Sequence, residues 1–200
     1  MRIHTSICDL FNIEHPVIQG GMAWIAGGRL AAAVSEAGGM GTIGCGNAPA
    51  DWLKQQIDIA RGITSRNFAV NLVMTSPYLQ ENLELIVREK IPVVATGGGN
   101  PGPYMAGLKE AGIKVMPVVA SVALAKRLER LGADAFVVEG VESGGHVGEM
   151  TTICIVPMVA DAVKVPIVAA GGIADGRGLV AALALGAKGA QMGTRFICAQ

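Results

Sequence analysis

The sequence predicts an α/β chain folded as a (β/α)8 barrel. Eight short apolar runs alternate with seven stretches of helical periodicity, at roughly 20–30 residues per unit. Alternation of this kind builds a parallel sheet. Many of the 28 glycines stand where a strand run ends and a helical run begins, where active-site loops are built. The seventh and eighth units both end in glycine turns, at the place where such barrels commonly bind phosphate. An open doubly wound sheet is the alternative architecture; eight units with a phosphate signature at the last two favour the barrel.

Taken in order, residues 1–15 are a polar lead-in, read as a lid or short helix over the barrel bottom. Strand one is Val17 to Gly20, followed by a helix from Gly28 to Ala37 that Gly38 and Gly39 stop. Met40 to Gly44 is strand two, and Pro49 starts a helix to Arg61. Phe68 to Met74 is strand three and Tyr78 to Lys90 its helix. Val93 to Ala95 is strand four, ending in three glycines at 97–99, before a helix from Tyr104 to Ala111. Val115 to Val119 is strand five, and Ser121 caps a helix through Leu131. Ala135 to Val138 is strand six; a long glycine-rich loop leads to a helix from about Thr151 to Val163. Pro166 to Ala170 is strand seven, an apolar run suited to burial on both faces. Ile173 to Leu185 is its helix, closed by Gly186, and Gly189 to Gly193 is strand eight.

One domain over 1–200 is expected, incomplete at its end, because no helix follows the eighth strand. The chain therefore reads as a piece of a longer protein that exposes apolar surface and is unstable alone or associates.

Composition narrows the partners. Hydrophobic residues make up 51% and charged residues 16%, which argues against a disordered chain. The formal net charge of zero gives no electrostatic ground for nucleic acid or an anionic membrane. No apolar run spans a bilayer, and no signal peptide is evident. The four cysteines are scattered without zinc or dithiol spacing and read as small apolar residues of a reduced, cytoplasmic protein. No metal site is expected, since His4 and His15 fall in the lead-in and the carboxylates do not pair at ligand spacing.

Function in a barrel sits at the C-terminal strand ends. Gly171 and Gly172 let backbone N–H groups approach a phosphate, the following helix adds its dipole, and Gly193, Thr194 and Arg195 arrive from the next strand. These glycines are also what tight turns alone would need. The other strand ends offer the run from Gln19 to Ala23, then Asn47, Asn71, Glu139 and, on the loop past Glu139, His146. His146 is the titratable imidazole on that face and the candidate catalyst, flanked by glycines. The competing readings are a hydrogen-bonding loop residue for His146, a satisfied core amide for Asn71, a partner in a local pair for Glu139, and core for Met22 and Trp24; position on the active face favours the functional reading of His146 and Asn71.

Several segments carry a resemblance: VIQGGMAW ending at Trp24, AVSEAGGMGTIG from Ala33, NPGPYM from Asn100, PVVASVALAKR from Pro117, EGVESGGHVGEMTT from Glu139, AAGGIADGRG from Ala169 and QMGTRF from Gln191. With these the chain resembles the flavin-dependent enoyl-acyl-carrier-protein reductase II group, within the nitronate monooxygenase (2-nitropropane dioxygenase-like) family. The resemblance implies an FMN-binding (β/α)8 barrel. It implies that Gly21, Met22, Ala23, Asn47 and Asn71 line the isoalloxazine. Gly171, Gly172, Gly193 and Thr194 would hold the FMN phosphate. Glu139, Gly145 and Gln191 would contact the cofactor, and His146 would be the functional histidine beside it. It further implies NADH or NADPH as co-substrate and an enoyl thioester on acyl carrier protein as substrate. The alternative within the family is oxidation of a small alkyl nitronate with O2, and a non-catalytic fragment is a third reading. A homodimer stays open.

Overall fold

The chain enters through α1 (Ser6–Phe11), which seals the bottom of a ring of strands. The computed structural model describes residues 3–145 and 148–199. The alternation then runs β1 (Val17–Gln19), α2 (Gly28–Glu36), β2 (Thr42–Gly44), α3 (Ala50–Ile63), β3 (Ala69–Val73) and α4 (Leu79–Arg88). It continues through β4 (Val93–Gly97), α5 (Gly102–Glu110), β5 (Lys114–Val119), α6 (Val122–Arg130), β6 (Phe136–Glu139) and α7 (Thr152–Ala160). It ends with β7 (Ile167–Ala170), α8 (Gly176–Ala184), β8 (Gly189–Met192) and a single turn, α9 (Thr194–Ile197).

All strand pairs are parallel, in the order β1-β8-β7-β6-β5-β4-β3-β2. Pairing of the first strand with the last excludes an open doubly wound sheet. The ring closes between β1 and β2 by one bridge, Ile18 to Met40. Gln19 donates its N–H to the Met40 carbonyl at 2.9 Å, and Met40 donates to Val17 at 3.0 Å. The Gln19 side chain then extends the ladder: its Oε1 accepts from Thr42 N–H at 3.0 Å and its Nε2 donates to the Thr42 carbonyl at 3.1 Å. A fully buried amide thus stands in for strand residues at the seam, which satisfies groups that burial would otherwise penalise.

Side chains alternate between two apolar layers, as a parallel barrel requires. Outward residues such as Val70, Val94, Val138 and Ala169 pack under the helices, with Leu53, Ile57 and Ile86 from α3 and α4. Inward residues Ile18, Ala69, Val93, Met116, Val137 and Val168 fill the ring, and Ile7, Cys8 and Phe11 of α1 plug it from below. The lead-in is the short helix over the barrel bottom that the sequence suggests.

The differences from the sequence reading are local. Met40 belongs to a bridge rather than to β2, and β4 extends through Thr96 to Gly97. Asn71 lies in the middle of β3, not near its end. α8 starts at Gly176, because Asp175 caps it, so Ile173 and Ala174 remain in the preceding loop. Cys8 and Cys45 are buried as expected, and burial pushes the Cys45 thiol up to about 12, with Glu81 adding to the effect. Cys154 and Cys198 are exposed, so the small-apolar reading fails for them. No helix among the described residues is long and apolar enough to cross a membrane.

Candidate functional site

A cleft of about 750 Å³ opens over the C-terminal ends of β1, β6, β7 and β8. That volume lies in the range of small-molecule and cofactor sites, about 300–1,000 Å³. The pairing register explains which side chains reach it. Glu139 sits beside Ala170, Ala170 beside Gln191 and Gln191 beside Ile18. Ile18 and Ala170 belong to the inner layer, so Glu139 and Gln191 also project inward, at its upper rim.

The β7 turn is built for close approach. Gly171 and Gly172 have φ of 113° and 69°, conformations that side chains rarely adopt. A Cβ on Gly171 would stand 2.5 Å from Thr152 Oγ1, and one on Gly172 would stand 3.3 Å from Glu142 Cβ. Gly193, Thr194 and Arg195, from the end of the neighbouring strand β8, line the same cleft. The expected helix dipole is partly offset. Asp175 caps α8 by accepting the Arg177 N–H at 2.9 Å and pairs with the Arg177 guanidinium at 2.6 Å. The Arg177 side chain holds the Asp175 carboxyl below its ordinary range, and Arg195 adds to the effect. An anion here therefore relies on the loop amides and Arg195 more than on the start of α8.

The β1 turn forms the opposite wall with Gly20, Gly21, Met22, Ala23 and Ile25. A Cβ on Gly21 would lie 2.4 Å from Asn71 Cβ, so the backbone rests directly on the Asn71 side chain. Met22 reaches towards Gly193, where a Cβ would be 3.4 Å from its sulfur. Trp24 follows with φ of 67°, 69% exposed, and meets Trp52 of α3 edge-on at 6.1 Å between ring centroids.

The β6 loop supplies the acids. Burial pushes the Glu139 carboxyl up to about 7, against a hydrogen bond from the Ser143 hydroxyl that pulls it down. Among the described residues no cation pairs with Glu139. Glu142 behaves differently. Its carboxylate accepts the Thr152 N–H at 2.9 Å and the Thr152 hydroxyl at 2.9 Å, capping α7 from a distance. Burial raises its pKa, but these hydrogen bonds outweigh burial and the net direction is downward.

The structure thus brings Gly21, Met22, Ala23, Glu139, Gly145, Gly171, Gly172, Gln191, Gly193 and Thr194 to one cleft. Asn71 stands beneath Gly21, outside the lining, and Asn47 is exposed on the turn after β2. The candidate catalyst His146 lies outside the described residues. Sequence reasoning missed Ile25, Ser143 and Thr152. Thr152 had a usable signal: two threonines before an apolar run mark a helix start, where nearby loop carboxylates find free N–H groups.

Comparison with known proteins agrees with this geometry. The nitronate monooxygenase family model matches residues 4–84 and 76–200. The chain is 40% identical over 200 residues to a (3aS,4S,5R,7aS)-5-hydroxy-7a-methyl-1-oxo-octahydro-1H-indene-4-carboxyl-CoA dehydrogenase of Mycobacterium tuberculosis, covering 98% of this chain and 56% of that protein. It is 35% identical to a probable nitronate monooxygenase of Staphylococcus aureus, covering 97% of this chain and 68% of that one. Among solved structures, FabK from Thermotoga maritima superimposes with a TM-score of 0.96 at 52% identity, covering 98% of this chain and 63% of FabK. A nitroalkane oxidase from Streptomyces ansochromogenes superimposes with a TM-score of 0.89 at 32% identity, covering 96% and 68%. The chain spans a little over half the length of the first of these curated relatives. With a family model spanning it almost end to end and the ring and cleft described above, the chain belongs to the nitronate monooxygenase family.

Proposed function

We propose that this chain forms the FMN-binding barrel of an oxidoreductase that reduces trans-2-enoyl thioesters on acyl carrier protein with NADH or NADPH. The observation that carries the flavin half is the pair of left-handed glycines, Gly171 and Gly172, sharing a cofactor-sized cleft with Gly193 and Thr194. This is a cradle that side chains would fill, so FMN fits the residues present. In this reading the backbone N–H groups of the β7 turn and the Thr194 hydroxyl bind the phosphate, and Arg195 balances its charge. Gly21, Met22, Ala23 and Gln191 flank the ring system, Asn71 supports the β1 turn from below, and Asn47 lies at the outer edge of the site. Glu139 and Gly145 line the β6 side. When bound, FMN supplies the hydride chemistry. His146 orients the thioester carbonyl or gives a proton to the substrate α-carbon; its ordinary pKa of about 6.5 suits either task.

Two similarities support the thioester. The 52% identity to FabK is the higher of the two solved-structure matches reported above. The Mycobacterium tuberculosis relative is named for a carboxyl-CoA substrate, which is itself a thioester. The second reading is oxidation of an alkyl nitronate with O2, supported by the family model and by the Staphylococcus aureus relative. The test is a pair of assays on FMN-loaded protein: NADH or NADPH oxidation with a crotonyl thioester, and O2 uptake with a nitronate. Thioester-dependent oxidation without nitronate-dependent O2 uptake upholds the first reading, and the reverse pattern selects the second.

A further inference from the structure

The acids of the β6 loop are not equivalent. Glu142 is committed to Thr152 at the start of α7. Glu139 projects into the upper rim of the ring, lines the cleft and, among the described residues, has the Ser143 hydroxyl as its hydrogen-bond partner. The neighbouring strands bring no charge to it: β7 offers Ala170 and Gly171, and β5 runs out through Val118 and Val119. The start of α7 brings Thr152, a neutral group. The described titratable groups that share the cleft are Glu142 on the same loop and Arg195 and Cys198 beyond β8. His146, on that loop as well, is outside the described residues.

We propose that Glu139 exchanges a proton when the cleft takes up an anionic, phosphate-bearing ligand, so that this carboxyl adds its own pH dependence to occupancy, beside the second ionisation of the ligand phosphate at about 6. The inference rests on the reading of the cleft as a phosphate-bearing cofactor site. A phosphate placed at Gly171 and Gly172 adds negative charge on the strand next to Glu139. Like charge disfavours the ionised carboxylate, and at a half-buried group the repulsion is screened less than in bulk solvent. The bound form therefore holds a proton taken from solvent that the free form has partly lost near neutral pH. Burial already pushes Glu139 up to about 7, so a small further rise falls where it matters. The sign follows from linkage: binding takes up a proton, and affinity falls as pH rises.

The experiment is equilibrium dialysis of the protein against FMN from about pH 6 to about pH 8, with riboflavin as the phosphate-free probe. The expected result is an FMN Kd that rises with pH in the native protein relative to Glu139→Gln, by at most about tenfold per pH unit, with no such difference for riboflavin. Glu139→Gln removes this rise from the FMN profile. Ser143→Ala removes the hydrogen bond that favours the carboxylate and moves the inflection to higher pH. An FMN profile identical in native protein and Glu139→Gln overturns the inference. Isotope-edited NMR of the Glu139 carboxyl covers a variant that fails to fold and separates the two readings. If no flavin binds at any pH, the flavin reading fails. The inference then stands only if inorganic phosphate raises the Glu139 titration midpoint, and it is overturned if phosphate leaves that midpoint unmoved.

Discussion

Gly171 and Gly172 occupy neighbouring positions, yet alanine at each has a different consequence. At Gly172 the cost is mainly the left-handed backbone, about 1–2 kcal/mol, because the nearest atom stands 3.3 Å away. Gly172→Ala should therefore fold and lose flavin affinity, read by dialysis beside a urea melt. At Gly171 the same change drives a methyl to 2.5 Å from Thr152 Oγ1, inside the junction of β6, β7 and α7. Gly171→Ala should lower the urea midpoint itself. Glu139 sets a third expectation. Its folded carboxyl titrates at about 7 against an ordinary 4.5, so the folded state holds the proton longer than the unfolded chain. Its contribution to stability is fully present below the ordinary value and is lost as pH rises through the window between the two. Midpoints of the native protein should fall across that window relative to Glu139→Gln, while Glu142 and Asp175, both shifted downward, contribute the opposite slope at lower pH.

At the scale of elements, the N-terminal plug and the seam are the places where one residue serves a whole strand. Phe11 is fully buried among the inner-ring residues, and Phe11→Ala should cost about 3–5 kcal/mol, measured by urea denaturation. Ser121 caps α6 by accepting the Leu124 N–H, and Ser121→Ala should cost about 0.5–2 kcal/mol in the same experiment. The alternation of β1 to β8 with the helices was legible because the helical runs show their period and most runs are punctuated by a glycine or proline. The caps at Ser121, Pro49 and Gly186 were legible for the same reason. The start of α8 was not. Ile173 and Ala174 continue the apolar pattern of the helix, and the capping role of Asp175 overrides that pattern. Nor was the seam legible: nothing in the local sequence of Gln19 tells that its amide would face the backbone of Thr42. The candidate site was legible as a set of glycines at strand ends. The commitment of Glu142 to Thr152 depends on a tertiary contact between loop and helix, which periodicity does not encode.

At the scale of the molecule, apolar side chains are unevenly covered. Ile153 and Met158 on α7, Val180 on α8, and Trp24, Ile25 and Ile197 near the cleft all stand in solvent. Groups of this kind mark surfaces that favour contact. The chain of 200 residues should therefore self-associate with rising concentration, which sedimentation velocity would show as a growing weight-average mass, and Ile153→Lys with Val180→Lys should reduce it. A concentration-independent monomer would contradict this. The cleft wall also carries its own optical label. The chain has two tryptophans, and they meet edge-on at the edge of the β1 turn. All indole emission thus arises from one spot beside the segment that lines the cleft. A yellow chromophore seated there would drain that emission by energy transfer, and a swing of the β1 turn would change it by altering the edge-on pair. Filling and reshaping of the cleft could then be followed in real time by light, with no dye attached.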